Sequence, residues 1–302
     1  MSGKFRLAGP RYVLERGCEQ FPKQLDEIPS PPEKLYVIGN TEALQQGLAV
    51  IGARRATPYG RGCARRFARL AAEKGIVIIS GGARGCDSEA HRAALDAGMP
   101  TVVFLGGGCN CIYPTEHAGL FQSIIDAGGA IVSEQPWDYK PLPYTFRLRN
   151  RLIAGLAKAV LIVEAGLPSG TFSTADEALA AGRDVLVVPG AITSSTSRGA
   201  NRLMYQGARP VVDDESFEDA LFDIFGQLKY SLLGKEQEEV ENPVVRALLA
   251  EPLPLDELYK IAESVYGENA RSKLMELLVE AEATGIIARQ PDGRWGPKVA
   301  ER

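Results

Sequence analysis

Three short stretches of this chain carry glycines, arginines and hydroxyls in an order that suits an anion. They are Gly52-Ala53-Arg54-Arg55-Ala56-Thr57, Ser80-Gly81-Gly82-Ala83-Arg84-Gly85 and Gly166-Leu167-Pro168-Ser169-Gly170-Thr171-Phe172-Ser173-Thr174. Each follows an apolar run and leads into a segment compatible with a helix. Backbone N–H groups freed by a glycine loop at a helix N-terminus converge on one spot, and the helix dipole behind them favours negative charge there. Arg54, Arg55 and Arg84 add cations, and Thr57, Ser169, Thr171 and Thr174 add hydroxyls that grip a phosphate without bulk. One such loop is equally well read as a tight turn whose glycines permit φ > 0. Three of them, with Gly52, Gly81, Gly85 and Gly170 as close-approach points, are hard to explain as turns alone.

A fourth stretch, Thr145 to Leu156, reads TFRLRNRLIAGL. Arg147, Arg149 and Arg151 recur at every second residue. On a helix that spacing fans them over different directions, so all three cannot face one ligand. An aromatic beside arginines suits a base stacked above a phosphate contact. Phe146 is therefore read as touching nucleic acid, and Arg151 as a structural salt bridge at the sheet edge. Tyr113, after the glycine run Gly106-Gly107-Gly108, can stack on a base or pack in the protein, and packing is favoured.

The elements that must hold these residues alternate. Apolar, β-branched runs predict strands over 48–51, 76–79, 101–105, 130–133, 159–163, 184–188 and 210–212, with helices between them. Repeating βα order predicts a parallel sheet covered on both faces, with right-handed crossovers and ligands outside the strand carboxyl ends. Thr57 is expected to cap a helix over 59–73 with Pro58 at its first position. Asp87 or Ser88 is expected to cap the next helix. Residues 1–40 are weakly patterned and read as a strap on the core, with a short strand at 35–38.

Composition narrows the class. The net charge of −4 over 302 residues argues against a generic DNA binder. Its distribution argues the other way. Residues 48–212 hold 18 Lys and Arg against 12 Asp and Glu, a net of +6, and residues 213–241 hold 2 against 10, a net of −8. A basic core with an acidic linker fits a local nucleic-acid surface, although scattered solvated charge fits too. The five cysteines, Cys18, Cys63, Cys86, Cys109 and Cys111, are odd in number and dispersed, as expected of a reduced, cytoplasmic protein. Cys109-x-Cys111 has no partner pair, so no metal is expected. No apolar run approaches membrane-spanning length, and no signal peptide opens the chain.

In order along the chain, VIGARRATPYG, SGGARGCDSEAH, LGGGCNCIYPTEH, SEQP, FRLRNRLIAGL, EAGLPSGTFSTADEALAAGRDVLVVPG and GANRLMYQGA resemble the DprA/Smf family, the bacterial DNA-processing protein A family. The match runs from about Leu35 to Val212 in one register. The segments are specific together, and none is specific alone. The resemblance implies an α/β fold: an extended Rossmann-like, doubly wound, mostly parallel sheet, with a small C-terminal winged-helix domain. It implies sequence-independent binding of single-stranded DNA, delivery of that DNA to the RecA recombinase in natural transformation, a homodimer, and neither catalysis nor a cofactor. Arg149 and Asn150 align with the family's F-x-x-R-N and join Phe146 as expected DNA contacts. The family's G-S-R reads Gly52-Ala53-Arg54 here, so one hydroxyl contact is missing.

Domains are expected at 1–40 (lead-in), 41–226 (Rossmann-like domain), 227–241 (acidic linker) and 242–302. In the last, helices at 244–249, 255–262 and 270–284 and a hairpin give winged-helix order, with Arg271 and Lys273 on the recognition helix. Phe217, Leu221 and Ile224 share one face of a helix over 213–225. That stripe is a candidate two-fold dimer contact, or else a cap on the sheet edge. An enzyme is the competing class. The Ser169-Gly170-Thr171-x3-Ala175-x-Glu177 region is reminiscent of lysine-decarboxylase-like phosphoribohydrolases, but Pro168-Ser169 breaks the glycine pair and the spacing of Glu177 is shifted. A nicotinamide oxidoreductase fails because Gly52-Ala53-Arg54 lacks the G-x-G-x-x-G fingerprint.

Overall fold

The run Gly47–Ile51 is buried at every position, as a strand covered on both faces must be. It forms β3 of a nine-stranded sheet in the computed structural model, which describes residues 6–167, 170–226, 244, 247, 252–283, 287–289 and 293–297. The other strands are β1 (Arg11–Glu15), β2 (Lys34–Gly39), β4 (Ile78–Ser80), β5 (Thr101–Phe104), β6 (Ala130–Ser133), β7 (Ala157–Ile162), β8 (Asp184–Val187) and β9 (Arg209–Pro210). Their order is β1-β2-β6-β5-β4-β3-β7-β8-β9. From β6 to β9 all pairs are parallel. The order runs outward from β3 in one direction and resumes from β7 in the other, so the switch point of this doubly wound sheet lies between β3 and β7.

The lead-in is not a strap. β1 pairs antiparallel with β2, and β2 pairs antiparallel with β6, so both extend the sheet at its β6 side. A short helix, α1 (Lys23–Asp26), lies between them.

Helices cover both faces. α2 (Pro58–Glu73) turns Ala64, Phe67, Ala68, Ala71 and Ala72 inward, while its arginines at 61, 65, 66 and 69 stay exposed. Thr57 caps it, its hydroxyl accepting from the Gly60 N–H, and Pro58 takes the first turn as expected. α3 (Cys86–Asp96) presents Ala90, Ala93 and Ala94 to the same apolar cluster, on the side where α8 (Asp214–Phe225) adds Phe217, Ala220 and Leu221. α4 (Ala118–Asp126) packs Phe121, Ile124 and Ile125 against β2, β5 and β6. The opposite face is covered by α5 (Pro143–Leu156), α6 (Thr171–Ala180) and α7 (Arg198–Tyr205). Each large aliphatic side chain fully buried in these layers contributes about 1.5–3 kcal/mol.

The stripe on α8 faces inward. Phe217 and Leu221 have no exposed surface, and the Phe217 ring sits 4.8 Å from that of Phe67. The helix caps the chain's own sheet, which removes Phe217 and Leu221 as dimer contacts. Its cap is a reciprocal box between Asp213 and Ser216.

The chain divides near residue 229 into two compact units. In the second, α9 (Leu255–Tyr266) and α10 (Ala270–Ala283) precede an antiparallel hairpin of β10 (Ile287–Arg289) and β11 (Trp295–Pro297). Leu253 bridges to Trp295 beside that hairpin. The expected helix at 244–249 falls mostly outside the described residues.

Candidate nucleic-acid interface

The sheet order brings the carboxyl ends of β4, β3 and β7 side by side. Above them lies a groove of about 850 Å³. The β3 loop supplies Gly52, Arg54 and Arg55, α5 supplies Phe146, Arg147, Arg149 and Asn150, and α6 supplies Gly170, Thr171 and Thr174. A side pocket of about 260 Å³ opens between Arg54, Arg55, Gly81, Arg84, Tyr113 and Phe146.

An aromatic and cationic column stands at the junction. The Arg54 guanidinium lies 5.2 Å from the centre of the Phe146 ring, and Tyr113 lies 5.5 Å from it on a tilted plane. Phe146 needs Gly106 beneath it, because a Cβ there would come within 2.8 Å of the ring. Tyr113 packs on the Phe146 ring, as its packing reading expects, and at 47% exposed it also forms part of the rim. Among the described residues Arg54, Arg55 and Arg147 form no ion pair, and all three are exposed. Arg84 is also exposed but pairs with Glu116.

The glycine loops are arranged differently from expectation. Two carboxylates of the chain itself already take backbone donors. Asp87 accepts from the N–H groups of Gly81 and Ala83, each at 3.2 Å. It therefore ties the β4 loop down, and the cap position of α3 falls to Gly85. Glu164 accepts from the Thr57 N–H at 2.9 Å and from its hydroxyl at 3.2 Å. Gly52 and Gly85 serve close packing between loops. A Cβ on Gly52 would lie 2.5 Å from the Cys86 sulfur, and one on Gly85, which has φ of 79°, would lie 2.3 Å from the Ala53 carbonyl oxygen. Thr57 and Gly85 do not line the groove. Ser169 lies outside the described residues.

Arg149 forms the floor. It is 5% exposed, and its Nη1 donates to the Gly81 carbonyl at 2.7 Å and to that of Phe104. Burial lowers its pKa to about 10, against the pull of Asp87, so it is charged at neutral pH. Burial likewise raises the pKa of the Asp87 carboxyl, while Arg149 and the two N–H donors oppose that rise. Arg151 pairs with Glu134 at 2.5 Å, as its structural reading requires. The groove residues sequence reasoning missed include Arg147 on α5, and Ser195 and Thr196, which line it from the loop after β8. The hydroxyl run Thr193-Ser194-Ser195-Thr196-Ser197 was the available signal.

In the second unit the two cations of the expected recognition helix are engaged. Arg271 stacks over Tyr259 at 5.6 Å, and Lys273 pairs with Glu276 at 2.7 Å.

Fold and groove together define a doubly wound α/β protein with an arginine- and aromatic-lined cleft at its switch point. Residues 13–222 match the family model of DNA recombination-mediator protein A, and the chain belongs to that family. It is 38% identical over 293 residues to Protein Smf of Escherichia coli, covering 93% of this chain and 76% of that one. The X-ray structure of DNA processing protein A from Streptococcus pneumoniae is similar with a TM-score of 0.65 at 32% identity, covering 72% of this chain and 75% of that one. DNA processing protein A from Helicobacter pylori, whose structure is described in terms of a single-stranded DNA binding mode, gives 0.64 at 34% identity, covering 71% and 97%. Among the described residues no helix is long and apolar enough to cross a membrane.

Proposed function

We propose that this chain binds single-stranded DNA in the switch-point groove without sequence preference, and delivers it to the RecA recombinase in the cytoplasm as a homodimer, without catalysing a reaction. The observation that carries the DNA-binding part is the Arg54–Phe146–Tyr113 column with Arg55 and Arg147 beside it. Stacking platforms next to unpaired cations suit bases that are free to splay and phosphates that follow them. Bases in a duplex are not free to do so. Gly52, Gly81, Gly85, Thr57 and Arg149 shape and support the loops in this reading, while Asn150, Gly170, Thr171 and Thr174 face the strand. Glycine backbones, hydroxyls, arginines beside a phosphate path and one aromatic leave few groups placed to read base edges, which supports indifference to sequence. The phosphoribohydrolase reading needs Glu177 as its glutamate, and the spacing of Glu177 from Gly170-Thr171 departs from that motif, which weighs against the enzyme. The second unit is proposed as a winged helix whose partner is protein as readily as DNA.

An anisotropy titration tests the reading. Single strands of mixed sequence are expected to bind with a steep salt dependence and better than duplex of equal length. Equal affinity for the two forms would remove the groove as the site. A strand-exchange assay with RecA tests the delivery step, and hydrolysis of nucleoside monophosphates would favour the enzyme.

A further inference from the structure

The N-terminus of α2 lies at the switch point, where doubly wound sheets ordinarily receive a phosphate. In this chain that place is filled from within. Glu164 follows β7, is 3% exposed, and reaches the first turn of α2 from the neighbouring strand end. Its Oε2 accepts from the N–H and hydroxyl of Thr57, and the same hydroxyl accepts from the Gly60 N–H at 3.1 Å. The carboxylate lies so close to the helix that a Cβ on Gly60 would stand 2.0 Å from Oε2. The β4 loop shows the same arrangement, with Asp87 on the N–H groups of Gly81 and Ala83.

We infer that Glu164 is a specificity residue: its carboxylate occupies the α2 N-terminus, where the switch point of such a sheet would hold a terminal phosphate, so the fold keeps no slot there for free nucleotides, pyrophosphate or 5′-phosphate ends. A second anion cannot enter beside a buried carboxylate without strong repulsion and without taking its hydrogen bonds. A polynucleotide has no such requirement. Its internal phosphodiesters each carry one charge and can lie along the rim at Arg54, Arg55 and Arg147. The groove is therefore blind to strand ends and accepts any interior stretch. The strand part of this statement rests on the proposed single-strand binding; the exclusion of small phosphates does not.

The test has two arms. In the first, the wild-type chain is titrated with oligonucleotides of one sequence bearing either a 5′-phosphate or a 5′-hydroxyl, and is melted with millimolar pyrophosphate or dAMP. The two oligonucleotides are expected to agree within about twofold, with no saturable rise in melting temperature. A tenfold preference for the 5′-phosphate, or a saturable rise with either small phosphate, overturns the inference. In the second arm, Glu164→Ala is expected to gain a saturable stabilisation by pyrophosphate, while Glu164→Gln, whose amide still fills the slot, gains much less. A folded Glu164→Ala with no gain also overturns it. If Glu164→Ala does not fold, the wild-type melts decide. If neither oligonucleotide binds, the single-strand reading has failed, and the small-phosphate melts still judge Glu164.

Discussion

Arg54 and Phe146 belong to different layers of the fold, yet the guanidinium of one stacks over the ring of the other at 5.2 Å. Arg54 leaves the end of β3, and Phe146 rises from the first turn of α5 on the opposite face of the sheet. The contact holds a cation and an aromatic face at one point of the groove. Each unit within a strand uses both, one for its phosphodiester and one for its base.

Arg54→Ala is expected to weaken single-strand binding and to lower the slope of log affinity against log salt by about 0.7, the signature of one lost phosphate contact. Phe146→Ala should cost about 1–3 kcal/mol of binding through lost stacking, with the slope unchanged. Phe146→Tyr should retain binding. Anisotropy titrations across a salt series check all three, and identical slopes in wild type and Arg54→Ala would place the phosphates elsewhere.

Glu116 neutralises Arg84 at the rim of the side pocket, and the guanidinium beside it holds its carboxyl below the usual range. A phosphate approaching Arg84 must compete with that partner. Glu116→Gln should tighten single-strand binding at low salt, and the gain should vanish at high salt because both groups are solvated. Unchanged affinity at low salt would remove Arg84 from the path of the strand.

His91 has no exposed surface. Thr101 donates its hydroxyl to the Ile78 carbonyl at 2.6 Å, so the His91 Nδ1–H must be the donor in the 2.8 Å contact with Thr101, and Nε2 has no partner among the described residues. Burial, more than the nearby positive charges, lowers its pKa to about 3. The unfolded chain therefore binds the proton more readily, and stability is lost as pH falls below the ordinary histidine value toward 3. Between pH 7 and 5 the loss from this residue should be about 2 kcal/mol, with burial the main source. His91→Gln, which keeps a donor for Thr101 but cannot ionise, should flatten the melting temperature over that interval. Parallel wild-type and variant curves would exclude His91 as the source.

Leu221 and Phe222 are neighbours on α8 with opposite fates. Leu221 has no exposed surface and Phe222 is 44% exposed. Leu221→Glu should destabilise the first unit by more than about 3 kcal/mol, since it places a charge in a packed core. Phe222→Glu should be nearly neutral to folding. Urea denaturation of the two variants checks the contrast, and a stable Leu221→Glu would show that α8 does not pack as described.

The sequence by itself determined the alternation of strands and helices, the glycine loops at the carboxyl ends of strands, the Thr57–Pro58 start of α2 and the family. These are local matters. Periodicity, caps and turn residues act within a few positions, and a motif keeps its order whatever packs against it. Only the tertiary structure decided which donors remain for a ligand. Glu164 meets Thr57 across 107 residues of chain, and Arg149 meets Gly81 across 68. Both contacts depend on β3 lying beside β7 and β4, and the direction of a side chain at a strand end depends on those neighbours. No local pattern records that choice. A glycine-rich loop reads the same in sequence whether its N–H groups await a phosphate or already hold the chain's own carboxylate. The inward turn of Leu221 and the entry of β1 and β2 into the sheet were hidden for the same reason. An amphipathic stripe shows that a face will be buried, and only the assembled layers show against what.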